Sequence, residues 1–488
     1  MRHTSGIHKL ATATTFILVF FLFTRPPVDA DFWWHLRAGQ VMWTEQSILL
    51  SDVFSYTVAG AKWVNASWLS EVLLFLLYDR WGYIAISGFV AAIGAIAFVS
   101  IGRTLKGNPV LNAFVILLSA LTAAPVWGPR PQIISFLMVA MLDGWLGRKK
   151  PAHLWYIVPF FILWANLHGG WVWGFLLLLA QLAGDTLEGI TRKSKGLQKR
   201  ILERVSRLVV WTLLAVLAIG INPNGFSLWR LPFRQIQVSM QIQEWFSPDF
   251  HRLDFHPMLW MIFLLLVTSQ FRRTSFRSAR MFKVIGFAYL TFVAQRNIAL
   301  FAIAAAPMLS QGFNGVYHAI SAKRKLAEPL ELPRMLRKVL NSLILLAISI
   351  ASVARLITVS QPMYTDDQLP QGAVNWIEAN QPKGRIFNSY NWGGYSLWTL
   401  PEYPVFIDGR ADLYGLEIIS QWQDVVHARD EAMAILDRWQ VEIVFLEPGW
   451  PIIPKLTSNG WAVSYQDESS IILTRKSINP RSDPSPLR

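Results

Sequence analysis

The chain has 488 residues, of which 53% are hydrophobic and only 16% are charged, and its formal net charge is +14. An ordinary soluble domain is about a quarter charged, so this composition excludes that class and predicts a polytopic α-helical membrane protein. The basic residues cluster between apolar segments, so membrane topology explains the positive charge and no nucleic acid is expected as a partner. The absence of cysteine excludes disulfides, thiolate metal sites and a cysteine nucleophile.

Apolar segments recur along the chain and predict about 11 transmembrane helices. They lie at residues 9–24, 82–102, 110–126, 132–147, 153–167, 170–186, 207–221, 257–270, 281–295, 298–311 and 339–359. Several are shorter than the roughly 20 residues that a straight span requires, so flanking residues must complete them. A further apolar piece, 68–78, contains Glu71 and is predicted to be an amphipathic helix at the membrane surface.

The basic groups between these segments set the predicted orientation. With the N-terminus in the cytoplasm, the groups from Arg103 to the run at 322–338 also fall inside. The unusual polar stretches then gather on the outer face, together with everything after about Gln361. An alternative for the start of the chain is a signal peptide cleaved after Ala30, which would discard Asp29.

The composition changes to a soluble pattern from about Asp366 onward. Short strands are predicted at 384–390, 403–410, 441–448, 461–468 and 469–476, and helices at 372–380 and 416–439. The predicted organisation is a membrane domain at 1–361 with a catalytic first loop at about 25–81, a small extracytoplasmic α/β domain at 362–476, and a disordered tail at 477–488.

The sequence DADFWWHLRAGQ (29–40) directly follows the first apolar segment. If Asp29 and Asp31 are in extended backbone, both side chains point to the same side. They can then bind a divalent cation such as Mg²⁺ or Mn²⁺, or act as a base and its partner. The alternative is a solvated turn. Because Trp33, Trp34 and His35 follow at once, we favour a functional site in which these three residues contact substrate.

Four other polar residues lie within or between the apolar regions. Arg130, between two prolines, can anchor a phosphate bidentately or can reach the membrane interface. His168 lies in a tight turn and can contact an acceptor, a pyrophosphate or only the turn itself. Glu244 is a candidate second acid or metal ligand. Arg296 interrupts the apolar region 281–311, where a charge usually faces a polar cavity, and a lipid phosphate would be its natural partner.

Two motifs stand out in the soluble region, NWGGYSLW (391–398) and VFIDGRADLYG (405–415). Their candidate substrate-binding residues are Trp392, Tyr395, Asp408, Arg410 and Asp412. The last three alternate on one side if the segment is extended. The alternative is a strand followed by an Asp-Gly turn, in which these residues serve the fold.

These motifs resemble the GT-C class of integral-membrane glycosyltransferases. Nearly the whole chain is similar to an uncharacterised bacterial group of this architecture, through DADFWWHLRAGQ, WANLHGGW, NPNG, EWFSPDF and the two soluble motifs. The resemblance implies a bacterial inner-membrane protein with essential acids just after its first span. NWGGYSLW is also similar to the WWDYG motif of oligosaccharyltransferases, but Gly393 stands where that motif has its aspartate, which argues against peptide-sequon recognition.

The resemblance further implies a transfer of sugar from a polyprenyl-phosphate-linked donor to a glycan, lipid or protein acceptor. Asp29 or Asp31 would be the base or hold a metal with Glu244. The donor phosphate would be bound by Arg296, Arg130 and His168. The alternatives are a non-catalytic scaffold of the cell envelope or polysaccharide assembly, and a transporter of lipid-linked substrates. A transporter would place its polar sites near mid-membrane, whereas these gather at one face.

Overall fold

The computed structural model describes residues 2–147, 153–238, 242–270, 278–323, 333–361 and 369–475. The predicted disordered tail at 477–488 and the predicted start of the soluble domain at 362–368 lie outside these residues.

Each of the predicted apolar segments lies on an α-helix, because a backbone in hydrocarbon must satisfy its own hydrogen bonds. The helices of this half are α1 (Arg2–Phe23), α2 (Phe32–Glu45), α3 (Trp68–Gly102), α4 (Pro109–Ala123), α5 (Gln132–Leu146), α6 (Ile157–Leu167), α7 (Trp171–Thr191), α8 (Lys195–Ala218), α9 (Leu231–Val238), α10 (His256–Ser269), α11 (Ser278–Val293), α12 (Ile298–Lys323) and α13 (Arg334–Val359).

Within the described residues, four helices are long and apolar enough to cross a membrane. They are Trp68–Gly102, Pro109–Val126, Gln295–Ala322 and Lys338–Val359. Four shorter apolar helices accompany them, Leu10–Phe23, Gln132–Leu146, Leu154–Leu167 and Leu253–Ser269. The chain is therefore a mostly helical protein with several candidate spans, and the predicted number of about 11 stays a prediction.

Burial distinguishes the central helix of the bundle from a peripheral one. Every residue of α12 from 298 to 306 is buried, as expected for a helix surrounded by others. The alanines of this stretch let neighbouring helices approach closely. By contrast, α13 exposes large apolar side chains such as Leu343 and Ile350. An exposed apolar face of this extent suits contact with lipid tails.

Helix α3 breaks at Gly82, whose φ of 62° and ψ of −150° lie outside the helical region. Glycine adopts positive φ without steric cost, so the break falls where the sequence permits it. The break separates the segment 68–78, predicted to be a surface helix, from the apolar segment 82–102.

The first loop, residues 25–81, packs against the soluble region. The backbone N–H of Val405 donates to the carbonyl of Phe54 (3.1 Å), and the N–H of Tyr56 donates to the carbonyl of Val405 (3.2 Å). The segment 403–410, predicted to be a strand of the soluble sheet, instead has one isolated β-bridge in the described structure, between Val405 and Ser55 of the first loop. The strand prediction was wrong because the consecutive apolar residues 405–407 are buried while the backbone of this segment pairs with the first loop and not with the sheet.

The soluble region is a four-stranded sheet covered by short helices. The strands are β1 (Arg385–Asn388), β2 (Val441–Leu446), β3 (Trp461–Gln466) and β4 (Ile471–Arg475), in the order β1-β2-β4-β3. Strands β1 and β2 are parallel, and the other two pairs are antiparallel. The helices are α14 (Gln371–Asn380), α15 (Gly393–Thr399), α16 (Ala411–Val426), α17 (Ala432–Arg438) and α18 (Ile452–Ser458). The single helix predicted over 416–439 is thus divided between α16 and α17.

Candidate active site

Asp29 and Asp31 lie in the turn between α1 and α2. The backbone N–H of Asp31 donates to Oδ1 of Asp29 (2.9 Å), which fixes the turn. The indole N–H of Trp34 donates to Oδ1 of Asp31 (3.1 Å) from the first turn of α2. The Asp31 side chain is 25% exposed and that of Asp29 is 12% exposed. The chain therefore holds both carboxylates in place, with Asp31 the more accessible.

Arg130 joins these carboxylates to Glu244. From the proline-flanked connection before α5, its Nε–H donates to Oδ2 of Asp29 (2.7 Å) and its Nη1–H to Oδ2 of Asp31 (2.9 Å). Its Nη2–H donates to Oε1 of Glu244. Residues about a hundred positions apart in sequence thus form one cluster. We call Asp29, Asp31 and Glu244 the acidic cluster.

Burial and the guanidinium of Arg130 act on the pKa values of these acids in opposite directions. Burial raises the pKa of Asp31 to about 6, against the attraction of Arg130, and it raises the pKa of Asp29 in the same way. Burial alone would also raise the pKa of Glu244, but Arg130 and Arg296 together lower it below its ordinary value. At neutral pH the cluster therefore contains a charged Glu244 and, at Asp31, a carboxylate whose pKa suits a general base.

Two cavities meet at this cluster. The arginine cavity, about 240 Å³, is lined by Arg25, Arg130, Arg252 and Arg296. The aromatic cavity, about 530 Å³, is lined by Trp34, Trp63, Trp245, Tyr390, Trp422 and Trp450. Both cavities are also bordered by Asp29, Gln132 and Glu244, whereas Asp31 borders the aromatic cavity alone. Arg130 and Arg296 also border both cavities. The charged side chains of Asp29, Glu244 and these two arginines therefore lie between the two spaces.

Arg296 has a guanidinium that the described residues leave partly unsatisfied. Its Nε–H is buried and has no hydrogen-bond partner among those residues. Its guanidinium carbon lies 4.6 Å from the ring centre of Trp245. A buried donor without a partner is costly unless a ligand supplies the acceptor, so this geometry suits an anion in either cavity.

His168 borders the aromatic cavity and does not border the arginine cavity. Its Nδ1 accepts the backbone N–H of Gly170 (2.9 Å) and lies 2.7 Å from Oγ of Ser135. Burial lowers the pKa of His168 to about 3, with Arg296 acting in the same direction. The imidazole is therefore neutral, and with Nδ1 accepting, its proton is on Nε2.

A buried polar pair lies beside Trp34 at the wall of the aromatic cavity. Nδ1 of His35 is 2.9 Å from Oε1 of Glu71, and the Asn65 side chain donates to Oε2 of Glu71 (2.6 Å). The rings of Trp34 and His35 lie 3.5 Å apart. This network fixes the indole that binds Asp31. Sequence reasoning did not assign Glu71 or Asn65 to the site, although a lone acid in the apolar segment 68–78 was a signal for Glu71.

Arg25 and Trp63 are two further lining residues that sequence reasoning did not select. Arg25 lies in a basic, proline-rich exit from α1, and its Nη1–H donates to the carbonyl of Ala124 (2.7 Å). An arginine beside the end of a span is common at membrane interfaces, so its position in sequence gave no distinct signal.

The predicted substrate residues Trp33, Trp392 and Tyr395 contact other protein side chains. The rings of Trp33 and Tyr395 are 5.1 Å apart, as are those of Trp392 and Phe445. None of the three borders either cavity. These contacts join α2 to α15 and the sheet, and a substrate role for them stays a prediction.

Arg410 and Asp408 are almost completely buried in an ion-pair network. Arg410 donates to Asp408 through Nε and Nη2 (2.9 and 2.6 Å) and to Asp52 of the first loop through Nη1 (2.7 Å). The hydroxyl of Tyr414 donates to Oδ2 of Asp408 (2.7 Å). Arg410 and Asp412 border the aromatic cavity, whereas Asp408 does not. The network therefore ties the first loop to the soluble region, and a substrate role for these residues stays a prediction.

Two glycines of the soluble motifs approach the acidic turn closely. A Cβ added at Gly409 would overlap Oδ1 of Asp31, and one added at Gly394 would lie 2.7 Å from the carbonyl oxygen of Ala30. Only glycine leaves room for these approaches. The soluble region therefore shapes the site through its backbone.

The acidic cluster does not fit a divalent cation in the arrangement described. The oxygens that face its centre accept hydrogen bonds from Arg130. Over the described ranges, which omit 148–152, 239–241 and other short segments, no group of three His, Cys, Asp or Glu residues is placed to hold a metal ion. The predicted Mg²⁺ or Mn²⁺ site at these acids therefore contains a side-chain cation.

Comparison with solved structures identifies the fold. An oligosaccharyltransferase, AglB from Archaeoglobus fulgidus, solved with an inhibitory peptide and a dolichol-phosphate, is 11% identical and has a TM-score of 0.56, covering 89% of this chain and 69% of that one. Its apo form gives 12% identity and the same TM-score and coverage. ArnT from Cupriavidus metallidurans, bound to undecaprenyl phosphate, gives 13% identity and a TM-score of 0.49, covering 96% of this chain and 98% of that one. No protein-family model and no curated protein sequence matches the chain.

Proposed function

Starting from the GT-C fold that the chain shares with the archaeal oligosaccharyltransferase, we propose that it is a membrane glycosyltransferase. It transfers a sugar from a polyprenyl-phosphate-linked donor to an acceptor on the extracytoplasmic face of a bacterial inner membrane. The observation that carries this proposal is the meeting of two cavities, one cationic and one aromatic, at the acidic cluster.

The arginine cavity is the donor side of the proposed site. It offers guanidinium groups to a phosphate, and bidentate arginines are the side chains best suited to that anion. Arg296 has a buried Nε–H that lacks a partner among the described residues, so we assign it the donor phosphate, with Arg25 beside it. The archaeal neighbour, solved with a dolichol-phosphate, supports a lipid phosphate as the ligand.

The aromatic cavity is the acceptor side. Flat indole rings stack on the apolar faces of sugar rings, so its tryptophans favour a glycan as the acceptor. Asp31 faces this cavity alone, which makes it the carboxylate best placed to contact an acceptor hydroxyl. His168 offers an Nε2–H donor to the same ligand.

The proposed reaction is a single inverting displacement. Asp31 takes the proton of the acceptor hydroxyl, and the hydroxyl oxygen forms a bond to the anomeric carbon of the donor sugar. The bond between that carbon and the phosphate oxygen breaks, and the lipid phosphate leaves with the electron pair. Arg296 and Arg130 stabilise the charge of the leaving phosphate, while Asp29 holds Arg130 in place.

Replacing Arg296 by alanine tests the donor side. We expect KM for a polyprenyl-phosphate sugar to rise by about 10- to 100-fold, because a charge-assisted hydrogen bond to phosphate contributes roughly 1.5–3 kcal/mol. The measurement is sugar transfer by the purified protein in lipid nanodiscs. Arg103 is exposed at the C-terminal end of α3. It is the matched control, and its alanine variant should behave as wild type. Equal KM values for R296A and wild type would remove Arg296 from the donor site.

The pH dependence of transfer tests the assignment of the base. Because burial raises the pKa of Asp31 to about 6, the carboxyl is protonated below that pH and cannot accept a proton. We expect kcat/KM to be constant above about pH 7 and to fall about tenfold per pH unit well below pH 6. A rate that stays constant down to about pH 4.5 would require a base with an ordinary carboxyl pKa or a different mechanism.

A further inference from the structure

We infer that Arg130 supplies, as a fixed part of the chain, the positive charge that a divalent cation would otherwise supply among Asp29, Asp31 and Glu244. The inference rests on the proposed function, since it concerns the same site. The Arg130 side chain would take the place of the divalent cation that the paired aspartates predict.

The geometry of Arg130 carries this inference. Its three nitrogens each donate to a different carboxylate, and these carboxylates come from the turn before α2 and from the loop before α10. One guanidinium therefore holds together two distant parts of the chain, as a shared metal ion would. A side chain that only reached the membrane interface would not need three separate acidic partners.

The remaining oxygens of the two aspartates are also engaged. Oδ1 of Asp29 accepts the backbone N–H of Asp31, and Oδ1 of Asp31 accepts the indole N–H of Trp34. A divalent cation such as Mg²⁺ or Mn²⁺ requires several oxygen ligands directed at one point. To bind here it would have to displace the guanidinium, which is never deprotonated in proteins.

The position of Arg130 between the cavities gives it a role during transfer. Its hydrogen bonds to the acidic cluster use three of its five N–H groups, and it borders both cavities. The described part of the chain gives the other two N–H groups no partner, so they can donate to an oxygen of the donor. Arg130 can therefore orient Asp31 and contact the donor without an added metal.

Binding of Mn²⁺ to the purified full-length protein tests the inference without a transfer assay. After treatment with EDTA, Mn²⁺ is added and the free ion is followed by electron paramagnetic resonance. We expect the wild-type protein and the Asp31→Asn variant to bind the same amount of Mn²⁺. Arg130→Ala leaves three carboxylates around a space and should bind Mn²⁺ at least about tenfold more tightly than wild type. The double variant R130A/D31N should lose this gain.

Arg252 provides the matched control. It borders the arginine cavity and pairs with Asp254 (2.6 Å), but it lies outside the acidic cluster, so R252A should gain no Mn²⁺ site. Wild-type Mn²⁺ binding that D31N abolishes would overturn the inference, as would a folded R130A variant with no gain. If R130A does not fold, the comparison of wild type with D31N decides. Absence of transferase activity would count against the proposed function and leave these binding results interpretable.

Discussion

Replacing Asp31 by asparagine is expected to lower kcat/KM for sugar transfer by about 10²- to 10⁴-fold, the usual contribution of a general base. Asparagine keeps the shape of the side chain, and its single oxygen still accepts the indole N–H of Trp34, but it cannot take a proton and it loses the hydrogen bond from Arg130. The rate should be measured with the purified protein and a labelled polyprenyl-phosphate sugar, alongside donor binding, which should change little.

Asp249 is the matched control for this substitution. It is an exposed acid in the loop that also contains Glu244, it pairs with His251, and it borders neither cavity. Asp249→Asn should retain wild-type transfer. If D31N retained the wild-type rate as well, Asp31 would not be the base of the transfer.

Replacing Arg410 by alanine is expected to destabilise the protein by about 3–5 kcal/mol, because the substitution leaves buried carboxylates without their counter-ion. Arg410 is 1% exposed and pairs with Asp408 and with Asp52 of the first loop. Its guanidinium also lies 4.9 Å from the ring centre of Trp63. The measurement is thermal unfolding of the purified protein, followed by tryptophan fluorescence.

Arg429, whose side chain is 63% exposed and pairs with Asp424, is the control for this prediction. Its alanine variant should lose less than about 1 kcal/mol, the usual value for a surface ion pair. Equal unfolding temperatures for R410A, R429A and wild type would show that the network does not join the first loop to the soluble region.

The helices of the membrane half could be predicted because their apolar stretches fix a local structure. The likeness to a GT-C structure confirms the fold class that the motifs indicated. The number of spans could not be established in the same way, since segments such as α6 are only a few turns long. Length and hydropathy alone do not decide whether such a helix crosses the membrane.

The site illustrates what spacing along the chain cannot show. Asp29 and Asp31 were selected as a pair, with Glu244 as a possible metal ligand beside them, whereas Arg130 was assigned to the donor phosphate. The structure brings the four into one cluster, and only the folded chain places the guanidinium between the acids. A metal was predicted because paired aspartates suit a cation, and spacing along the chain does not show that Arg130 donates to both of them.

The soluble motif VFIDGRADLYG shows a second limit. Asp408 and Arg410 were predicted to face a ligand if the segment were an extended strand. The segment pairs with the first loop, and its charges form a buried network. Sequence alone does not distinguish a charged side chain that binds a ligand from one that pairs with a buried counter-ion, because both appear as charges in an apolar stretch.

A structure of the purified protein in lipid with a polyprenyl phosphate bound would locate donor, base and acceptor together. We expect phosphate density in the arginine cavity beside Arg296, with Asp31 facing the aromatic cavity across the acidic cluster. Phosphate bound away from Arg296 and Arg25, or Asp31 turned away from both cavities, would contradict the proposed arrangement of donor, base and acceptor.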